Sequence, residues 1–141
     1  MNNTVNHDHR TIDQRRAEYA LGQIEKIKEQ QYGNYVSYVS ALPASIVMNG
    51  LGQALLTLLA KAKGAPEEPH YLLYNHVASW LSQQSIKLRS PSESDFTPVI
   101  TRMMEADQKT YLFAQAEAMA YLNWLKQFAR AYLKEKEGQS E

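Results

Sequence analysis

At 141 residues, with 44% apolar side chains and no cysteine, the chain suffices for one domain with a real core. The missing cysteine excludes disulfides, a thiolate nucleophile and every cysteine-ligated metal site. Fifteen basic residues balance fifteen acidic ones, which argues against a dedicated free-standing nucleic-acid binder and leaves any phosphate contact to the arrangement of charge.

Residues 1–10 (MNNTVNHDHR) read as a disordered polar tail without periodicity or the apolar core of a signal peptide. The domain proper is expected over 11–137. A first helix is predicted from Ile12 to about Gln31, capped by Thr11 or Asp13, with Ala17, Ala20, Ile24 and Ile27 on one face. Gly33 and Asn34 interrupt it. A short apolar helix through Tyr35, Val36 and Val39 is expected to end where Pro43 intrudes. Pro43 then opens a mostly apolar third helix reaching Lys63, in which Gly50 and Gly52 permit close approach by a neighbour. Gly64 stops it.

A fourth helix is predicted over Pro69–Ser85, followed by a Ser- and Pro-rich connection (KLRSPSES) that reads as mobile. A fifth runs from about Asp95 to Ala106, and a long last helix from an Asp107 N-cap to about Lys136. No stretch alternates with period two, and no run reaches the roughly 18–20 apolar residues of a membrane span. The expectation is an all-α, single-domain bundle of about five to six helices, cytoplasmic and without a membrane contact.

Catalytic signals are scarce. His7, Asp8 and His9 could hold a transition metal only adventitiously, and His70 and His76, six apart, fall on different helix faces. The acidic neighbours Glu67 and Glu68, Glu93 and Asp95, and Glu105 and Asp107 sit in loops or at helix starts, where they complement helix dipoles. NGLGQ lies inside a helical pattern, not after a strand, so it is no phosphate loop. Neither a catalytic residue nor a cofactor or metal site is expected. Tyr32, Tyr35 and Tyr38 step by three; they could stack on bases, but half-buried positions with wet hydroxyls are the favoured reading. Lys126, Arg130 and Lys134 recur every four residues, a stripe of about 6 Å per step that can follow phosphates or simply face solvent.

Three stretches carry a resemblance: RRAEYALGQIEKI (15–27), SYVSALPASIVMNGLGQALLTLLAKAKG (37–64) and TYLFAQAEAMAYLNWLKQFARAYL (110–133). Together they resemble the small subunit of the type III-B CRISPR–Cas (Cmr) RNA-targeting effector. The resemblance implies a non-catalytic helical subunit of a ribonucleoprotein in antiviral defence. Its copies would line the groove that holds guide RNA paired to target RNA, touching one another, the backbone subunit and the other Cmr subunits. Phosphate contact would fall to Arg16, Lys61, Lys126 and Arg130 within the matched blocks. Lys63, Arg89 and Lys134 join them on electrostatic grounds. The alternative is a protein-only helical scaffold, including the equivalent type III-A subunit, without direct RNA contact.

Overall fold

The structure, a computed structural model, describes residues 9–30 and 32–133. Among them are six α-helices and one 3-10 turn, with no strand: α1 (Ile12–Ile27), α2 (Tyr35–Asn49), α3 (Leu51–Ala62), α4 (Pro69–Gln84), the turn Ile86–Leu88, α5 (Pro98–Glu105) and α6 (Gln108–Tyr132). The all-α expectation holds. Of the expected tail, residues 1–8 lie outside the described residues, as do Lys134 and the last turn expected of α6.

Local chemistry sets most helix starts. Thr11 caps α1 in a capping box, its hydroxyl accepting from the Gln14 N–H while the Gln14 side chain accepts from the Thr11 N–H. Asp107 caps α6 by accepting from Thr110 N–H at 2.9 Å, and Glu68 caps α4 through His70 N–H at 2.6 Å. Asp95 accepts from both the N–H and the hydroxyl of Thr97 just ahead of α5. Three acidic residues of the loops thus serve as local caps and turn closures.

The expected boundary at Pro43 is incorrect. Pro43 lies inside α2, and the break falls seven residues later at Gly50. The proline forfeits only the bond its N–H would give one turn back, and the apolar face carrying Tyr35, Val36, Val39, Leu42 and Ile46 keeps the helix packed through it. Gly50 has φ +85° and ψ 159°, a backbone that only glycine adopts without strain. Its N–H closes α2 on the Ile46 carbonyl at 2.7 Å.

The N-terminus of α3 has no side-chain cap of its own. Instead α6 supplies one: Leu51 N–H donates to Gln115 Oε1 at 2.9 Å, and Gly52 N–H to the Tyr111 hydroxyl at 2.7 Å. Gly52 also permits the close approach expected of it, since a Cβ there would meet Met104 Cε at 2.8 Å and the Tyr111 hydroxyl at 3.1 Å. Replacing Gln115 by alanine should cost about 1 kcal/mol, the usual worth of a cap, read as a lower urea midpoint with the helical circular dichroism retained.

The core gathers the buried faces of all six helices, with Ile24, Leu55, Leu73, Leu81, Met103 and Leu122 at or below 1% exposure. Tyr35 and His76 are also buried, and the Tyr35 hydroxyl pairs with His76 Nδ1 at 2.5 Å. Tyr38 stacks on His70 with ring centroids 3.7 Å apart. These two tyrosines serve internal packing rather than an open stacking face. The Ser- and Pro-rich connection is tied down rather than loose. Leu88 is fully buried, Ser90 N–H donates to Ser82 Oγ at 2.8 Å, and the Ser90 hydroxyl donates to the Asp95 carbonyl at 2.6 Å.

Candidate nucleic-acid interface

The helices meet in a polar node before they make a surface. Glu117 of α6, 6% exposed, accepts from Arg16 of α1 in a two-pronged contact along one guanidinium edge, Nε at 2.7 Å and Nη2 at 2.9 Å, and from Trp80 Nε1 of α4 at 2.8 Å. Burial alone would raise the Glu117 carboxyl, yet the bonds from Arg16 and Trp80 outweigh it and hold it below its ordinary value. Arg16 is raised in turn, chiefly by its bond to Glu117. Trp80 stacks on Tyr121 at 5.4 Å and lies 5.3 Å from Tyr19, whose hydroxyl bonds to Ser79 Oγ at 3.0 Å.

Arg16, one of the predicted phosphate contacts, is thus drawn into the node: each of its three guanidinium nitrogens bonds a carboxylate, Nη1 reaching Asp13 at 3.0 Å, which leaves two of its five N–H donors. The remaining candidates are spread over the molecule. Lys126 and Arg130 stand one turn apart on α6, the first half-buried and the second exposed. Lys61 lies in the last turn of α3 and Lys63 caps it in a left-handed conformation, at the other end from the junction with α6. Arg89 is exposed beyond the 3-10 turn. Lys134 lies outside the described residues.

Above the node runs a trough. One section, about 490 Å³, lies between α1 and α4 and is lined by Arg10, Arg15, Lys26, Glu18, Gly22 and three glutamines, over Tyr19 and Trp80. The next, about 850 Å³, is bounded by α4, the serine-rich connection and α5, with Arg89, Arg102, Glu93 and Phe96 on its walls. Tyr19 and Gln83 line both sections, so the two lie side by side along one open trough. Five cations face it against two carboxylates, and one of those, Glu18, is bonded by Arg10 at 2.7 Å. Among the described residues, Arg15, Lys26, Arg89 and Arg102 form no ion pair.

Of the predicted phosphate contacts, only Arg89 lines this trough. Arg10, Arg15, Lys26 and Arg102 follow no shared period and reach one surface only through the packing of α1, α4 and α5. No helix among the described residues is long and apolar enough to cross a membrane. No group of three or more histidines and carboxylates among them could hold a metal ion.

Known proteins resemble this chain over most of its length. A family model described as CRISPR-associated protein (Cas_Cmr5) matches residues 12–132, from the first residue of α1 to the last of α6. The "CRISPR system Cmr subunit Cmr5" of Thermotoga maritima is 24% identical over 127 residues, covering 88% of this chain and 86% of that protein. The family match takes in every described helix, the capped break between α2 and α3, and both partners of the Arg16–Glu117 pair. This chain belongs to the Cmr5 family of CRISPR-associated proteins.

Proposed function

We propose that this protein is a non-catalytic structural subunit of a type III-B Cmr ribonucleoprotein, and that it touches phosphates of the guide RNA and the target paired with it. Family membership across all six helices supports the place in the complex. One observation carries the RNA contact: a chain of zero formal charge gathers five cations against two carboxylates along one trough. Arg89 contributes from within the trough, while Lys61, Lys63, Lys126 and Arg130 offer further cations elsewhere on the surface. The backbone subunit and neighbouring copies cover the other faces. Each phosphate contact is weak alone, and several copies held in register make them effective.

The test is RNA binding by the assembled complex carrying Lys126→Glu, Arg130→Glu and Arg89→Glu, titrated at two salt concentrations. Affinity should fall and the dependence of log K on log salt should flatten by about 0.7–0.9 for every phosphate no longer neutralised in each copy. A variant that is incorporated normally, with affinity and slope unchanged, would sink the RNA contact and favour the protein-only scaffold.

A further inference from the structure

The residues from Tyr35 to Ala60 include no charged side chain and no histidine, although 21% of the chain is charged and a stretch of 26 would ordinarily hold five or six. Burial does not account for this, because α2 and α3 each keep an outer face in water. Ser37, Ser40, Ala41 and Ala44 are exposed on α2, and Gln53 and Thr57 on α3. Surface positions of this kind ordinarily carry lysine and glutamate.

Large apolar side chains gather in the open where these two helices meet. Val47, Met48, Leu56, Met104 and Leu112 are each more than half exposed, Met48 the most at 80%. Val47 and Met48 end α2, and Leu56 stands one turn beyond Gly52 in α3. Met104 reaches to within 2.8 Å of where a Gly52 Cβ would lie, and Leu112 follows Tyr111, whose hydroxyl bonds the Gly52 N–H. The five open roughly 500 Å² of apolar surface, the size at which a patch marks an interaction site. With the uncharged outer side of α2 the face approaches the ~800 Å² that each partner gives to a specific complex.

Charge decides what covers it. The face holds no cation, so it has nothing to offer a phosphate or an acidic lipid. Missing charge together with methionine is instead the composition of an interface core between proteins. A neutral face can also meet its own copy across a two-fold axis without opposing like charges. Its rim carries both signs, Glu105 beside Met104 and Lys109 three residues before Leu112, all of them exposed. We infer that two free copies of this protein pair across a two-fold axis through the corner between α2 and α3, each burying its Met48 against the corner of the other. Copies in register along an RNA all point the same way and join unlike faces. The pair is therefore a contact of the free subunit, and it must open before a copy takes its place in the complex. It does not rest on the RNA contact proposed above.

Sedimentation equilibrium of the full-length chain, without RNA or other subunits, tests this. The mass should rise from one chain to two with a midpoint on the order of 10 μM. Met48→Lys should weaken pairing by about tenfold or more. A cation at the end of α2 suits the helix dipole, so this variant should keep its helical circular dichroism and its urea midpoint. Ile86→Lys, at a comparably exposed apolar residue bordering the trough instead of the corner, should pair as the parent does. Met48→Lys mixed with Met48→Glu should recover the pair, because opposite charges then face each other across the axis at short range.

A parent chain that stays single up to about 100 μM, or pairing that survives Met48→Lys, would overturn the inference. Pairing lost in Met48→Lys and not recovered in the mixture would mean that the corner meets an unlike face, and would overturn the two-fold contact. A single parent chain, together with exclusion of Met48→Lys from the assembled complex, would give the corner to another subunit and overturn it too. Failure of the RNA contact would show separately, in the salt titration of the assembled complex.

Discussion

Arg16→Met is expected to destabilise the fold by about 3–5 kcal/mol, the penalty for leaving a buried charge without its partner. Glu117 would keep only its bond from Trp80, with its carboxylate 6% exposed and the two guanidinium bonds gone. The double variant Arg16→Met, Glu117→Gln should recover more than half of the loss, because a neutral amide can still accept from Trp80 and needs no counter-charge. Urea denaturation of the four proteins closes the cycle. A single-variant loss below about 1 kcal/mol would place the pair among surface ion pairs and dissolve the node. The same pair sets an acid limb. Because the folded Glu117 carboxyl lies below its ordinary 4.5, its contribution is present above that value and is lost as pH falls through the folded pKa.

A second effect begins at milder acidity. His76 is 5% exposed, and burial, helped by the nearby positive charge of Lys26, lowers it from 6.5 to about 3. The unfolded chain therefore takes up a proton that the folded one refuses. The sign follows: stability is full above 6.5 and declines as pH falls from there toward 3, by up to about 1.4 kcal/mol for each unit. Urea midpoints measured at pH 7, 6 and 5 should fall steadily, in a window above the one where Glu117 titrates. His76→Gln should lie lower at pH 7, having lost its fit beside Tyr35, but its slope over this window should be shallower. An unchanged slope would mean that His76 already accepts its proton in the fold.

Much of the architecture was legible from local pattern. The apolar spacing of Ala20, Ile24 and Ile27, the Asp107 cap and the stop at Gly64 concern residues within a turn or two of each other. What was misread concerns partners far apart in the chain. Pro43 looked like a beginning and Gly50 like a packing site, and their roles are reversed: the proline is accommodated inside a helix and the glycine ends it. The break becomes tolerable because Tyr111 and Gln115, about 60 residues on, satisfy the exposed amides. The bond from Arg16 to Glu117, 101 residues away, was hidden for the same reason. Both residues stand in the stretches that carried the family resemblance. The trough was invisible because a periodic stripe such as Lys126 and Arg130 announces itself in sequence. Cations drawn from α1, the serine-rich connection and α5 do not.

The borrowed cap on α3 also imposes an order of events. A ribosome adding about 5–20 residues per second delivers Gln115 roughly 3–13 s after Leu51, from their separation of 64 residues. Throughout that interval the amides at the bend have only water for partners. The corner between α2 and α3 is thus fixed only once α6 has arrived and docked, placing it among the last features to set. If the cap also forms late when the whole chain refolds, weakening it at Gln115 leaves the rate of folding nearly untouched and appears instead as faster unfolding.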